Sequence, residues 1–236
     1  MLMIKKIVKG PAAALFPVPV VMVTSQSADS APNIITVAWT GVMNSEPPVV
    51  YIGVRSEGRY SYQLIKESGE FVINIPSVSQ ARATDLCGVV SGKDVNKFEE
   101  TGLTPMPATQ VKAPLIAECP VNVECRVRQV LELGSHNVFI ADVVAVQYSE
   151  DVLDEKGRPD IDKIQPYAYC MREYRLIADK LGSYGYSKRG EVYQKPSGNG
   201  RLFDHHECCC LVQEQGCPYR LQVPSCGPDA GRHKPV

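Results

Sequence analysis

No stretch of this chain stays apolar for long. The longest such runs, residues 17–23 and 47–54, fall far short of the roughly 20 residues that a membrane-spanning helix needs. Residues 1–9 carry three lysines and no apolar segment of about 7 to 15 residues, so no export signal is expected and the cytoplasm is the expected compartment. Neither sign of charge is in surplus: 25 Lys and Arg stand against 26 Asp and Glu, a net charge of −1. General nucleic-acid binding rests on neutralising phosphates with a basic face, and this chain lacks the charge for it. Membranes and nucleic acids are therefore not expected partners.

Several motifs are missing as well. There is no G-x-G-x-x-G after a strand, so no Rossmann dinucleotide site is expected. Gly88-Val89-Val90-Ser91-Gly92-Lys93-Asp94 resembles a phosphate-binding loop but is one residue short between its glycines. It also carries Asp94 where a metal-binding hydroxyl belongs. No G-x-S-x-G, H-E-x-x-H or C-x-x-C occurs. Up to residue 187 there is a single histidine, His136, and Cys87, Cys119, Cys125 and Cys170 show no zinc spacing. No metal site is expected there, and these cysteines read as small buried apolar side chains. Without an export signal the nine cysteines are expected as thiols.

The composition changes near residue 187. The last 50 residues hold five of the nine cysteines, three of the four histidines, eleven Pro and Gly, and only eight Leu, Ile, Val and Phe. That is too little apolar surface for a core of their own. The chain is read as one domain over 1–187 and a Cys/His/Pro/Gly-rich tail over 188–236. His205-His206-Glu207-Cys208-Cys209-Cys210 is rich in soft ligands. Adjacent cysteines do not easily converge on one ion, so an incidental solvated cluster is the stronger reading.

What is present before residue 187 is a series of short β-branched runs punctuated by Pro, Gly, Asn and Asp. Strands are expected over 18–24, 33–40, 49–54, 71–75, 121–133, 137–148 and 167–171. Residues 25–32 read as a hairpin loop and Gly134-Ser135-His136 as a tight turn. Short helices are expected over 60–66, stopped by Gly69, and over 79–87. Residues 94–114 read as loop with at most one short helix. Many short strands with hairpin turns indicate an all-β fold, an antiparallel barrel with a few short helices.

One local constellation carries chemistry. Arg55-Ser56-Glu57-Gly58-Arg59-Tyr60-Ser61-Tyr62 lies between a strand and a helix start. Two guanidinium groups, a hydroxyl and free helix N–H groups at one spot suit a phosphate monoester. Taken alone, these residues read more readily as a capped helix start with solvated arginines.

The residues just described fall into a pattern. Pro17-Val18-Pro19-Val20-Val21-Met22-Val23-Thr24, Asn33-Ile34-Ile35-Thr36-Val37-Ala38-Trp39-Thr40, Arg59-Tyr60-Ser61-Tyr62, Gly69-Glu70-Phe71-Val72-Ile73-Asn74, the run from Cys87 to Phe98 and Leu133-Gly134-Ser135-His136 occur in order. Together they resemble the flavin reductase-like family, the flavoredoxins within it most closely. The resemblance implies a Greek-key FMN-binding split barrel, a homodimer, and electron transfer through FMN, with NADH or NADPH or a redox protein as the electron partner. Flavin used as a diffusible substrate, or held without turnover, are the alternatives on the same barrel.

Carried over by residue, the resemblance places Asn33, Thr36, Val37, Ala38 and Trp39 along the flavin ring and its ribityl chain. Arg59, Ser61 and Tyr62 would hold the phosphate with Arg55. Asn74, Cys87, Ser91 and Lys97 would complete the pocket. His136 would stand beside the ring as the candidate catalytic residue, and Tyr169 near the cofactor. Gly58 makes the spacing of Arg55 to Arg59 one residue longer than the family pattern. Read without the resemblance, Trp39 is equally a core aromatic and His136 a solvated turn residue.

Overall fold

A computed structural model describes residues 4–189 apart from Glu57 and Ala178. The expectations for the tail, the 205–210 cluster among them, lie outside the described residues. The chain divides into two units, Met1–Asp179 and Lys180–Val236. The described part of the second contains a single 3-10 turn, Tyr186–Lys188.

The first unit is built on β-strands. In chain order these are β1 (Val18–Pro19), β2 (Val21–Ser25), β3 (Asn33–Val37), β4 (Thr40–Ser45) and β5 (Pro48–Arg55). Helix α1 (Tyr60–Ser68) leads to β6 (Glu70–Ile75), followed by α2 (Ala81–Val89) and α3 (Lys97–Thr101). Then come β7 (Pro105–Met106), β8 (Leu115–Ile116), β9 (Val121–Glu132), β10 (His136–Tyr148), α4 (Ile161–Ile164), β11 (Tyr167–Cys170) and β12 (Glu173–Leu176).

Seven strands form one sheet in the order β3-β2-β6-β9-β10-β5-β4, every neighbouring pair antiparallel. Three successive strands of this sheet, β6, β9 and β10, lie side by side, and the preceding β5 returns next to β10. That is a Greek-key order. The two edge strands are also consecutive in the chain. Only Ala38 and Trp39 separate the end of β3 from the start of β4. Two residues bridge roughly 10 Å at most, so the sheet must curl until its edges meet. The Gly53 N–H donates to the Trp39 carbonyl at 2.6 Å, tying that seam to β5. This is the expected antiparallel barrel.

Alternation along the strands explains the core. Val21, Val23, Ile35, Val37, Ile52, Val54, Phe71, Ile73, Phe139 and Ala141 point inward and meet Ile65 of α1. The intervening Met22 and Ile34 point outward, where Cys87 of α2 and Phe98 of α3 cover them. All five residues of β2 are therefore buried, which is why Val21-Met22-Val23 reads without polar alternation.

Two sequence expectations need correction. The strand expected over 33–40 stops at Val37, and a separate strand β4 follows. The strand expected over 49–54 begins one residue earlier, at Pro48, which pairs with Ser45 across a hairpin. The chain turns sharply at Ala38-Trp39 because the barrel closes there, a constraint that local propensity does not carry. Within 94–114 the structure adds the short β7–β8 pair beside the helix α3.

Two charges lie in the interior. Glu124 on β9 is fully buried. Its carboxylate accepts from the backbone N–H groups of Thr109 (3.0 Å), Gln110 (2.6 Å) and Val111 (3.2 Å), the Thr109 hydroxyl (2.8 Å) and Gln147 (2.7 Å). Burial pushes its pKa up, but these donors outweigh it and hold the carboxyl below the usual range. The second charge, Lys97, belongs to the candidate site.

Candidate flavin site

Helix α1 places the first group. Ser61 and Ile65 are four residues apart and share the buried face, so the Ser61 hydroxyl is drawn inward while Ile65 enters the barrel core. The Asn33 amide of β3 donates to it at 2.8 Å. The helix begins after Arg59, whose extended backbone ends the preceding loop and whose side chain does not cap it. The Arg59 carbonyl accepts from the Tyr62 N–H at 3.1 Å, but the arginine side chain has no oxygen to cap the N–H groups before Tyr62, so that end of α1 remains an anion-favouring terminus.

Around this point Asn33, Ile35, Gly58, Arg59, Tyr60, Ser61, Val90, Ser91, Gly92 and Lys97 line a cleft of about 260 Å³ that is open to solvent. Arg59 also donates weakly to the Gly88 carbonyl at 3.4 Å, which directs it along the end of α2. Lys97 is almost fully buried. Its ammonium donates to the carbonyls of Ile34 and Cys87, both at 2.7 Å, and joins β3 to α2. Burial, followed by the repulsion of Arg59, outweighs the attraction of the Cys87 sulfur and lowers its pKa to about 8.

A second cleft of about 410 Å³ continues from the first through shared Ile35 and Arg59, and is lined further by Thr36, Val37, Ala38, Trp39, Gly53, Val54, Arg55 and His136. Its floor is the β3–β4 seam. The Thr36 hydroxyl donates to the Thr84 carbonyl, so α2 supports this floor from below. Arg55 and His136 are register partners on β5 and β10. The His136 and Trp39 ring centroids are 6.3 Å apart, and Trp39 is 42% exposed, a cleft wall rather than a core residue. Burial, then the Arg55 charge, lowers the His136 pKa and favours the neutral imidazole. Among the described residues lining the two clefts there is no carboxylate.

The structure thus gathers Asn33, Thr36, Val37, Ala38, Trp39, Arg55, Arg59, Ser61, Ser91, Lys97 and His136 along one continuous surface. Four other expected residues lie elsewhere. Tyr62 packs on Phe139 at 5.6 Å between ring centroids and accepts from Asn137 at 2.8 Å. Asn74 is fully buried, donating to the Met22 carbonyl and accepting from Ile116 N–H and Asn122. The Cys87 thiol is buried and pushed up to about 11, chiefly by burial; only the Cys87 carbonyl, through Lys97, touches the site. Tyr169 pairs with Val18 on the separate β1-β11-β12 sheet and packs on Tyr174.

Sequence reading missed Gly53 and Gly92. A glycine inside a strand is a sign of close backbone approach. At Gly53 a Cβ would come within 3.1 Å of the Trp39 Cβ.

Residues 13–178 match the flavin reductase-like domain family. The chain belongs to the flavin reductase-like family. It is 33% identical to the flavoredoxin of Desulfovibrio vulgaris (Miyazaki F), with a TM-score of 0.73 over 78% of this chain and 100% of that one. The flavoredoxin of Methanosarcina acetivorans is 29% identical, with a TM-score of 0.68 over 76% of this chain and 95% of that one. An uncharacterized protein of Archaeoglobus fulgidus is 34% identical over 131 residues, 56% of this chain and 72% of that protein. The fold is accordingly a split barrel of the flavin reductase-like kind, and the family is one of oxidoreductases. Among the described residues no helix is long and apolar enough to cross a membrane.

Proposed function

We propose that this protein binds FMN along the two joined clefts and passes electrons through it, from a reduced nicotinamide or a redox protein to an acceptor. One observation carries the reading. A polar cleft holding two cations and an uncapped helix N-terminus opens directly into a wider cleft floored by main chain and walled by Trp39 and His136. A phosphate monoester fits the first part and a planar ring system the second.

In this reading Arg59, Ser61 and the first N–H groups of α1 hold the ester, with Lys97 and Ser91 beside it. The backbone of Thr36, Val37, Ala38 and Trp39 offers N–H and C=O groups to the polar edge of the ring. FMN, when bound, supplies hydride acceptance and single-electron release. The chain positions and tunes it. Arg55 and Arg59 place positive charge at the rim, which favours an electron-rich ring. His136, whose neutral form burial favours, can donate or accept one hydrogen bond there without adding a further full charge. Trp39 covers one side of the cleft and limits water.

The test is the absorption spectrum of the purified protein, followed by FMN titration and anaerobic addition of NADH or NADPH. Flavin bands retained through purification support a prosthetic group, and their bleaching by either nicotinamide identifies the donor. A colourless preparation that gains no bands on soaking with FMN overturns the reading.

A further inference from the structure

The segment that follows α2 carries a feature that the flavin reading does not use. Gly92 lies against β3 so closely that a Cβ on it would fall 2.0 Å from Asn33 Oδ1, 2.5 Å from Asn33 Cγ and 2.8 Å from Asn33 Nδ2. The entire amide occupies the space a side chain would need. The same amide donates to the Ser61 hydroxyl at 2.8 Å. Asn33 and Ser61 are both buried, and all three residues line the smaller cleft. The contact therefore runs in series, from Gly92 through the Asn33 amide to the Ser61 hydroxyl.

We infer that Gly92 is a positioning residue for the ester end of the site: its missing side chain is what lets the Asn33 amide fix the Ser61 hydroxyl toward the phosphate. The inference rests on the FMN reading for its ligand, but its steric part does not. The atom that must yield on adding a methyl group is the end of a side chain, not backbone. The barrel can therefore accept alanine at 92 by swinging the amide of Asn33 away, and the damage is confined to the Ser61 hydroxyl. The ring end of the cleft, floored by Thr36 to Trp39, is not part of this series. Gly92 is thereby a determinant of preference between the phosphorylated flavin and the unphosphorylated one.

The experiment compares FMN and riboflavin binding in the wild-type chain, Gly92→Ala, Asn33→Ala and the double variant. Gly92→Ala is expected to weaken FMN about tenfold, the effect of one misplaced hydrogen bond to a charged group, and to leave riboflavin within about twofold. Alanine at 33 removes the clash, so adding Gly92→Ala to that background should cost nothing further. An equal loss in both backgrounds, equal weakening of FMN and riboflavin, or no loss at all in Gly92→Ala overturns the inference. Failure of the wild-type chain to bind either flavin overturns the FMN reading instead. In that case a flavin-free crystal structure of Gly92→Ala decides the steric claim: an Asn33 amide still bonded to Ser61 refutes it, and one rotated away supports it.

Discussion

Glu124 and Lys97 are both buried charges, and the barrel treats them differently. Glu124 accepts from five donors supplied by the 109–111 loop and by Gln147. Its pKa falls below the ordinary range despite burial. Lys97 has three N–H groups and uses two, on the carbonyls of Ile34 and Cys87. Its pKa drops to about 8. A buried charge is tolerable only when its partners replace water. Glu124 has its full set and is a structural pin. Lys97 makes two hydrogen bonds among the described residues and lines the cleft in which the phosphate is proposed to sit.

The largest effect should come from Glu124. Replacing it with Gln keeps the volume but turns an NH2 group toward backbone donors. A loss of about 3 kcal/mol of stability is expected, read by urea denaturation, with flavin affinity of the folded fraction unchanged. Linkage gives a second reading. The folded pKa lies below the unfolded one, so the stabilisation is present above the ordinary Glu range and is lost as pH falls through the folded value. Glu124→Gln should lack that acid-side loss. A selective fall in FMN affinity would break the contrast between pin and ligand.

Next in size is the ester end. Arg59→Ala combined with Ser61→Ala should weaken FMN by about a hundredfold, two charge-assisted contacts of about 1.5 kcal/mol each, with riboflavin much less affected. Isothermal titration measures both. Unchanged FMN affinity would remove the phosphate from this cleft.

Lys97 itself sharpens the comparison through pH. Its folded pKa of about 8 lies below the unfolded value near 10.5, so between these values the unfolded chain holds more protons. Raising the pH from about 8 to about 10.5 should therefore stabilise the flavin-free protein. Lys97→Met should lack this slope, and FMN should flatten it in the wild type by keeping the ammonium charged. Denaturation midpoints at pH 8 and pH 10, with and without FMN, check both statements.

The smallest effect concerns His136, a titrating group outside the contrast. Its pKa is lowered mainly by burial and then by Arg55. Arg55→Gln should raise the imidazole midpoint slightly, leaving it below the usual histidine value, as followed by the ring-proton NMR signal. A large upward shift would show that Arg55 rather than burial governs this end of the cleft.

Much of the architecture was already legible in local pattern. The β-branched runs, the hairpin loop before Asn33, the Gly69 helix stop and the 134–136 turn all follow from short-range sterics, and short-range sterics do not change on folding. The ordered motifs from Pro17 to His136 likewise resembled the flavin reductase-like family, to which the chain belongs. What the pattern did not hold was where the sheet closes. The break after Val37 and the separate strand β4 exist because two edges of one curled sheet meet at Ala38-Trp39, a contact between distant strands. The same holds at single residues. Nothing beside Tyr62 or Asn74 in the sequence shows that one stacks on Phe139 and the other bridges β2, β8 and β9, while Gly92 comes to rest on Asn33. The chain by itself determined most of the elements and the family to which it belongs. Tertiary packing alone decided which side chains face the cleft, because facing is set by neighbours brought together only when the barrel closes.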